Sequence, residues 1–347
     1  MPAITPRVKR RIYRQLMLIP IGAIVGMAYY LLQNLIEGDT TTLSRLSGTA
    51  CIGMLVAVSA SAFEVLYLPS RSGALVRRLS FPVQLIIRVG LMCAAILIGL
   101  TLGNYWFNPN VTQFYWSHFA IITDAVVAFA VSLIILLFLL MRDLVGQRVF
   151  GNFVLGRYFR PVSELRIFLF LDLVDSTALA RRLGDENTHA LISQFFFDIA
   201  TPILEYEGET HRYIGDEIVV TWDEASGFRN NNCLNAIFAI EEEMRRLRQS
   251  YLQRFNEFPT FRAALHCGMI VAGECGEEKR EIVYFGDTIN TAARIQSMCR
   301  ELQSNLIISA AVKERLTQDD SVSIQALGIH DIRGRDEPVE LFAAVQT

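Results

Sequence analysis

Four long apolar runs fill the first 141 residues, at about 16–32, 46–68, 81–103 and 119–141. None carries the polar stripe that marks a helix half-buried in a water-soluble core. A helix of roughly 20 residues is about 30 Å long, the thickness of a bilayer's hydrocarbon core. The pattern therefore predicts a transmembrane bundle of about four helices over 1–141, with the lipid bilayer as its partner. No small-residue cleavage site follows the first run and three more runs succeed it, so a cleaved signal peptide does not fit. Arg7, Lys9, Arg10, Arg11 and Arg14 precede the first run, Arg71, Arg77 and Arg78 separate the second from the third, and Arg142 and Arg148 follow the fourth. The other two loops are poor in basic residues. The positive-inside rule then predicts a multi-pass cell-membrane protein with both termini in the cytoplasm. Glu64, Arg88 and Asp124 lie near run ends, where snorkelling to the interface accommodates them.

After the fourth run the pattern changes. Residues 142–165 read as a partly helical linker punctuated by Pro161. The run RIFLFLD at 166–172 suits a central strand covered on both faces. Leu179, Leu183, Leu191, Phe195 and Ile199 recur near a 3.6-residue period, which predicts one helix over 177–206. Strands at 211–214 and 218–222 flank a Gly215–Asp216 turn. Next come a helix at about 227–250, a strand at 261–267, and a turn-rich strand region marked by Gly268, Gly273 and Gly276. A strand at 282–285, a helix at about 287–301 and strand-like runs at 306–309 and 340–344 complete the order. Strands interleaved with helices predict an α+β domain on one sheet over 166–347.

Composition sharpens this division. Hydrophobic residues make up 52% and charged residues 19%, with a mean hydropathy of +0.33, too apolar for a disordered chain or an ordinary soluble enzyme. The net charge of −3 hides an asymmetry: ten Lys/Arg face four Asp/Glu up to residue 141, and 22 face 31 beyond it, giving +6 and −9. The basic residues sit at the ends of apolar runs, a mark of membrane topology and not of a nucleic-acid groove. The six cysteines form no CxxC pair, and the five histidines do not cluster near them. That pattern argues against a disulfide framework or a zinc site and leaves small buried thiols in a reducing compartment.

Two acids carry the candidate chemistry. Asp172 ends a buried strand and Asp216 sits on a hairpin; on neighbouring strands both would enter one cleft. Converging carboxylates without His or Cys favour a hard cation such as Mg²⁺ or Mn²⁺. Either acid alone reads more simply as a solvated turn residue or a helix cap. A strand-end acid followed by a short polar turn and a helix start also offers backbone N–H groups to phosphate. Asn290 and Arg294 stand four apart on one helical face, where an amide and a fixed cation could hold a ribose and a developing phosphate charge.

Together these segments resemble the catalytic domain of the class III nucleotidyl (adenylate/guanylate) cyclases. The resemblance is carried by FLDLVDST at 170–177, RYIGDEIVV at 212–220, HCGMIVAGECG at 266–276 and FGDTINTAAR at 285–294, and extends over about 163–345. The order and spacing of the four are far more specific than any one of them. The resemblance implies a ferredoxin-like βαββαβ fold behind a membrane bundle, a familiar arrangement in that family. It implies that Asp172 and Asp216 hold two Mg²⁺ or Mn²⁺ ions, and that Leu173, Val174, Ser176 and Thr177 cradle the triphosphate. Asn290 would orient the ribose and Arg294 would stabilise charge at the α-phosphate. Sites of this family form at a head-to-tail dimer interface, so one such domain implies a homodimer. Where the family carries its purine-selecting Lys this chain has Arg212, and where it carries a second base-selecting Asp or Thr this chain has Val283. Arg keeps the charge and Val makes no hydrogen bond, so the base contact falls to backbone or to a side chain such as Glu281 or Tyr284. The implied reaction is ATP to 3′,5′-cyclic AMP and pyrophosphate. GTP as substrate, or a catalytically silent nucleotide-binding receptor, are the alternatives. A diguanylate cyclase fits poorly, since its hairpin is of the GGDEF type and this one reads YIGDE.

Overall fold

The computed structural model describes residues 16, 19–31, 35, 43–62, 76, 79–107, 126–127, 129–130, 133–134, 136–137, 156–277, 281–335 and 337–346. It divides into two units, 1–147 and 148–347.

In the first unit, residues 19–31 are helical, followed by α1 (Leu43–Ala62) and α2 (Phe81–Phe107). Gly22 and Gly26 meet Gly53 of α1 so closely that a Cβ on any of them would collide with backbone of the facing helix. Among the described residues no helix is long and apolar enough to cross a membrane. Most of the expected fourth span and of the linker lies outside the described residues.

The second unit is built on one eight-stranded sheet. Its strands are β1 (Val162–Leu173), β2 (Glu209–Ile214), β3 (Glu217–Asp223), β4 (Phe261–Cys275), β5 (Glu281–Phe285), β6 (Leu306–Ser309), β7 (Val322–His330) and β8 (Val339–Gln346). They run in the order β2-β3-β1-β4-β6-β8-β7, with β5 on β4. All pairs are antiparallel except β4 with β6. The helices are α3 (Ser176–Leu183), α4 (Asp185–Glu205), α5 (Glu224–Phe228), α6 (Asn232–Phe255), α7 (Asp287–Met298) and α8 (Ala310–Lys313). As far as β4 the element order follows βαββαβ, with each helical layer made of two helices.

β1 is central because it is apolar on both faces. Ile167, Leu169 and Leu171 pack with Leu191, Phe195, Ile199 and Ile237 of α4 and α6. Phe168 and Phe170 pack with Ile270, Ala272 and Ala292, the last on α7. β1 begins at Val162, so 162–165 are strand and not linker.

Several elements depart from the sequence expectations. The single helix over 177–206 is two, because Gly184 takes φ +78°, a left-handed conformation that ends α3 and restarts the chain as α4. The helix at 227–250 is α5, a 3₁₀ turn (Arg229–Asn231) and α6. The turn-rich region after Cys267 is a continuation of β4. Gly268 there makes room for α7, since a Cβ would lie 2.6 Å from Thr288 Oγ1. β7 was not anticipated.

Candidate active site

Register sets the acids together. β1 pairs with β3 so that Asp172 faces Glu217, the residue after Asp216 at the β2–β3 turn. Asp216, at that turn, is thereby set beside the Asp172 carboxyl. Burial first, and Asp216 second, push the Asp172 carboxyl up to about 6, while Gln296 and the Leu173 N–H pull it the other way. Burial, then Asp172 and Asp216, push Glu217 up to about 7. These acids crowd one another. Oxygen donors alone, already repelling, suit Mg²⁺ or Mn²⁺. Among the described residues no group of three or more His, Cys, Asp or Glu forms a ready cage.

A cleft of about 500 Å³ opens beside Asp172. Leu173, Val174, Asp175, Ser176, Thr177 and Ala178 form one wall. Asp175 at φ +54° turns the chain from strand to helix, so the first turn of α3 faces the cleft with the N–H groups a helix start leaves without intrahelical partners. The opposite wall holds Arg262, Gln296, Ser297 and Arg300, and Arg181 completes the rim. Sequence reasoning missed the three arginines and Gln296. Arg262 lies directly across β4 from Asp172, a neighbour only the β1–β4 register reveals.

Other expected residues stand elsewhere in the same chain. Asn290 is exposed on α7 and Arg294 half-buried one turn on; neither lines the cleft. Arg294 Nη1 is sealed from water with no hydrogen-bond partner among the described residues. Its guanidinium lies by Gly334, where a Cβ would come within 3.1 Å of Nη1. Arg212 Nη2 on β2 donates to Glu281 Oε2 on β5 at 3.0 Å. Val283 shares the Glu281 face of β5 by strand alternation. Tyr284 alternates to the other face, where its ring meets Phe168, His211 and the Arg166 guanidinium. Of the two side chains considered for base contact, Glu281 is thus the one beside Arg212. A larger cavity of about 700 Å³, between α6 and the β8 end of the sheet, includes Glu241 and Arg245 but no converging acids.

Residues 161–344 match the family described as "Adenylate and Guanylate cyclase catalytic domain". "Adenylate cyclase 2" of Rhizobium meliloti (strain 1021) is 38% identical over 218 residues, 63% of this chain and 60% of that protein. "Adenylate cyclase 1" of the same organism is 24% identical over 182 residues, 51% of this chain and 27% of that protein. The chain thus spans less than two thirds of the curated relatives it matches. A solved bacterial light-regulated adenylyl cyclase superposes with a TM-score of 0.54 at 21% identity, covering 63% of this chain and 64% of that one, a likeness of fold.

Proposed function

Since the chain belongs to the adenylate and guanylate cyclase catalytic domain family, we propose that it converts ATP into 3′,5′-cyclic AMP and pyrophosphate at two equivalent sites of a homodimer. One observation carries the reading: Asp172, with Asp216 beside it, opens onto a cleft walled by a β–α turn and three arginines. In the reaction the ribose 3′-oxygen forms a bond to the α-phosphorus, the bond to the β-phosphate oxygen breaks, and the hydroxyl proton passes to solvent. Two Mg²⁺ or Mn²⁺ ions, held by Asp172 and Asp216, would supply Lewis acidity at the attacking and leaving oxygens. Arg181, Arg262 and Arg300 balance the triphosphate charge, and the turn from Leu173 to Thr177 donates N–H groups to it. Asn290 and Arg294 reach the ribose and α-phosphate from the partner subunit, which agrees with their absence from their own chain's cleft and with the unpartnered Arg294 Nη1.

Arg212 and Glu281 offer a donor and an acceptor to the base edge. Adenine can use them through N1 and its amino group, and guanine through O6 and N1–H. The guanylate reading draws on the same pair. Purified protein supplied with Mn²⁺ and either ATP or GTP decides: mass identification of cyclic AMP supports the first reading, cyclic GMP the second, and neither product refutes both.

The first unit we read as the multi-pass membrane anchor, with both termini cytoplasmic. Support comes from the large apolar side chains it leaves exposed, among them Ile24, Ile86, Ile98, Val126 and Ile134, and from the close Gly22, Gly26 and Gly53 approach. Small-residue helix contacts of this kind typify packing in lipid. Release of the full chain from membranes by alkaline carbonate alone would refute the anchor.

A further inference from the structure

Helix α7 is a short rod fixed along its inner face. Thr288, Thr291, Ala292 and Ile295 are buried. Thr288 Oγ1 donates to the Met269 carbonyl of β4 at 2.8 Å, and Thr291 Oγ1 to Asp287 Oδ2 at 3.1 Å. Its 12 residues span about 18 Å, and the described backbone shows no break along them. Near its C-terminal end, Gln296 is 9% exposed and lines the same cleft as Asp172 of its own chain. Asn290 and Arg294 ride on the same rod outside that cleft.

We propose that Gln296 is a positioning residue that couples the two sites of the dimer, tying the helix that presents Asn290 and Arg294 to one site onto the acid of the other. The inference rests on the shared-site reading above. Seating Arg294 on a phosphate displaces α7, and the displacement reaches Asp172 through Gln296 with no flexible joint between them. The two sites are therefore not independent: nucleotide held at one alters affinity and turnover at the other. One rigid element biased from both sites is what such a coupling requires.

Mixed dimers test this. Full-length chains bearing Asp216→Ala and Arg294→Ala are co-expressed with different tags, and the heterodimer is isolated through both. It holds one doubly damaged site and one intact site, and Asp172 and Gln296 remain in both chains. Gln296→Met is then placed on the Asp216→Ala chain alone. There it touches only the acids of the damaged site, yet it shares its helix with the Arg294 of the intact one. Coupling predicts that kcat at the intact site falls, and that calorimetric affinity for 3′-deoxy-ATP, which binds but cannot cyclise, shifts by about fivefold or more. Gln296→Glu, which sets a carboxylate against Asp172, is a second variant that should move both readouts. Silence of both variants on that chain overturns the proposal. An inactive mixed dimer before Gln296 is changed overturns the shared-site reading instead, and the proposal with it.

Discussion

Asp172→Asn should stabilise the protein while abolishing its chemistry. The Asp172 carboxyl is pushed from 3.8 up to about 6, first by burial and then by Asp216. The folded state therefore holds this proton more tightly than the unfolded chain does. The stability it contributes is present below about pH 4 and lost as pH rises through 6. A change from 3.8 to about 6 is worth about 3 kcal/mol at full burial. Asp172 is half-buried, and solvent screening cuts that to about 1–2 kcal/mol. Asparagine cannot ionise, and it is close to aspartate in size. The variant should match the parent near pH 4 and exceed it at pH 8 by about 1–2 kcal/mol, or about 3–8 °C in Tm for a domain of this size. The assay is thermal unfolding of the full chain in detergent with a chelator, across that pH range. Adding Mn²⁺ should raise the parent's Tm and leave the variant's nearly unmoved, because an ion that binds the folded state alone stabilises it. A variant less stable than the parent at pH 8 in chelator would show that these acids do not repel, and the reasoning would fail.

Arg294→Ala should lower kcat by about 10²–10³, the usual loss for one transition-state donor, and Asp172→Ala should abolish turnover. Mixing the two damaged chains should restore activity, and verified heterodimers no more active than the Arg294→Ala chain would rule out a shared site. Glu281→Gln should change the ATP-to-GTP ratio of kcat/KM by about tenfold or more, since a lost hydrogen bond discriminates strongly; an unchanged ratio removes Glu281 from base selection. His266 is 4% exposed, with Nδ1 2.8 Å from Ser309 Oγ. Burial, then Arg335, lowers it from 6.5 to about 4. The unfolded chain takes up this proton first, so stability is lost as pH falls from 6.5 towards 4, by about 3 kcal/mol. In urea unfolding His266→Gln should lose less between pH 7.5 and 4.5 than the parent does; an equal loss would mean another group carries the acid sensitivity.

The elements legible in the sequence were those whose cue is local. RIFLFLD announces a strand covered on both faces because nothing between Arg166 and Asp172 is polar. The Gly215–Asp216 turn announces a hairpin. Gly184 escaped because Leu183 and Leu191 keep helical phase across it, so the apolar period runs through a backbone break. β7 escaped because it is a half-exposed edge strand with a register shift between Ala326 and Gly328 that breaks its alternation. Asp172 and Asp216 could be paired only conditionally, since a one-residue slip of β1 on β3 would turn Asp172 to the other face. Arg262 and Gln296 had no cue: one reads as a strand charge and the other as a helix-surface amide until β4 and α7 are placed against β1.

Each chain carries two defects that are complementary. Its acids, Asp172, Asp216 and Glu217, press on one another, while Arg294 hides a nitrogen from water with no hydrogen-bond partner among the described residues. A chain folding for itself alone would gain by bringing the two together. Its own geometry forbids this, because α7 is held to β4 by buried Thr288 and presents Gln296, not Arg294, to the cleft beside Asp172. An isologous two-fold contact is self-complementary, so what residue i lacks in one copy the other supplies twice over. In the proposed shared site, nucleotide phosphates set between the acids' cations and the partner's guanidinium would satisfy both defects at once. On this argument the substrate strengthens the dimer as well as occupying it, and dissociation of the full chain should slow when 3′-deoxy-ATP and Mn²⁺ are present.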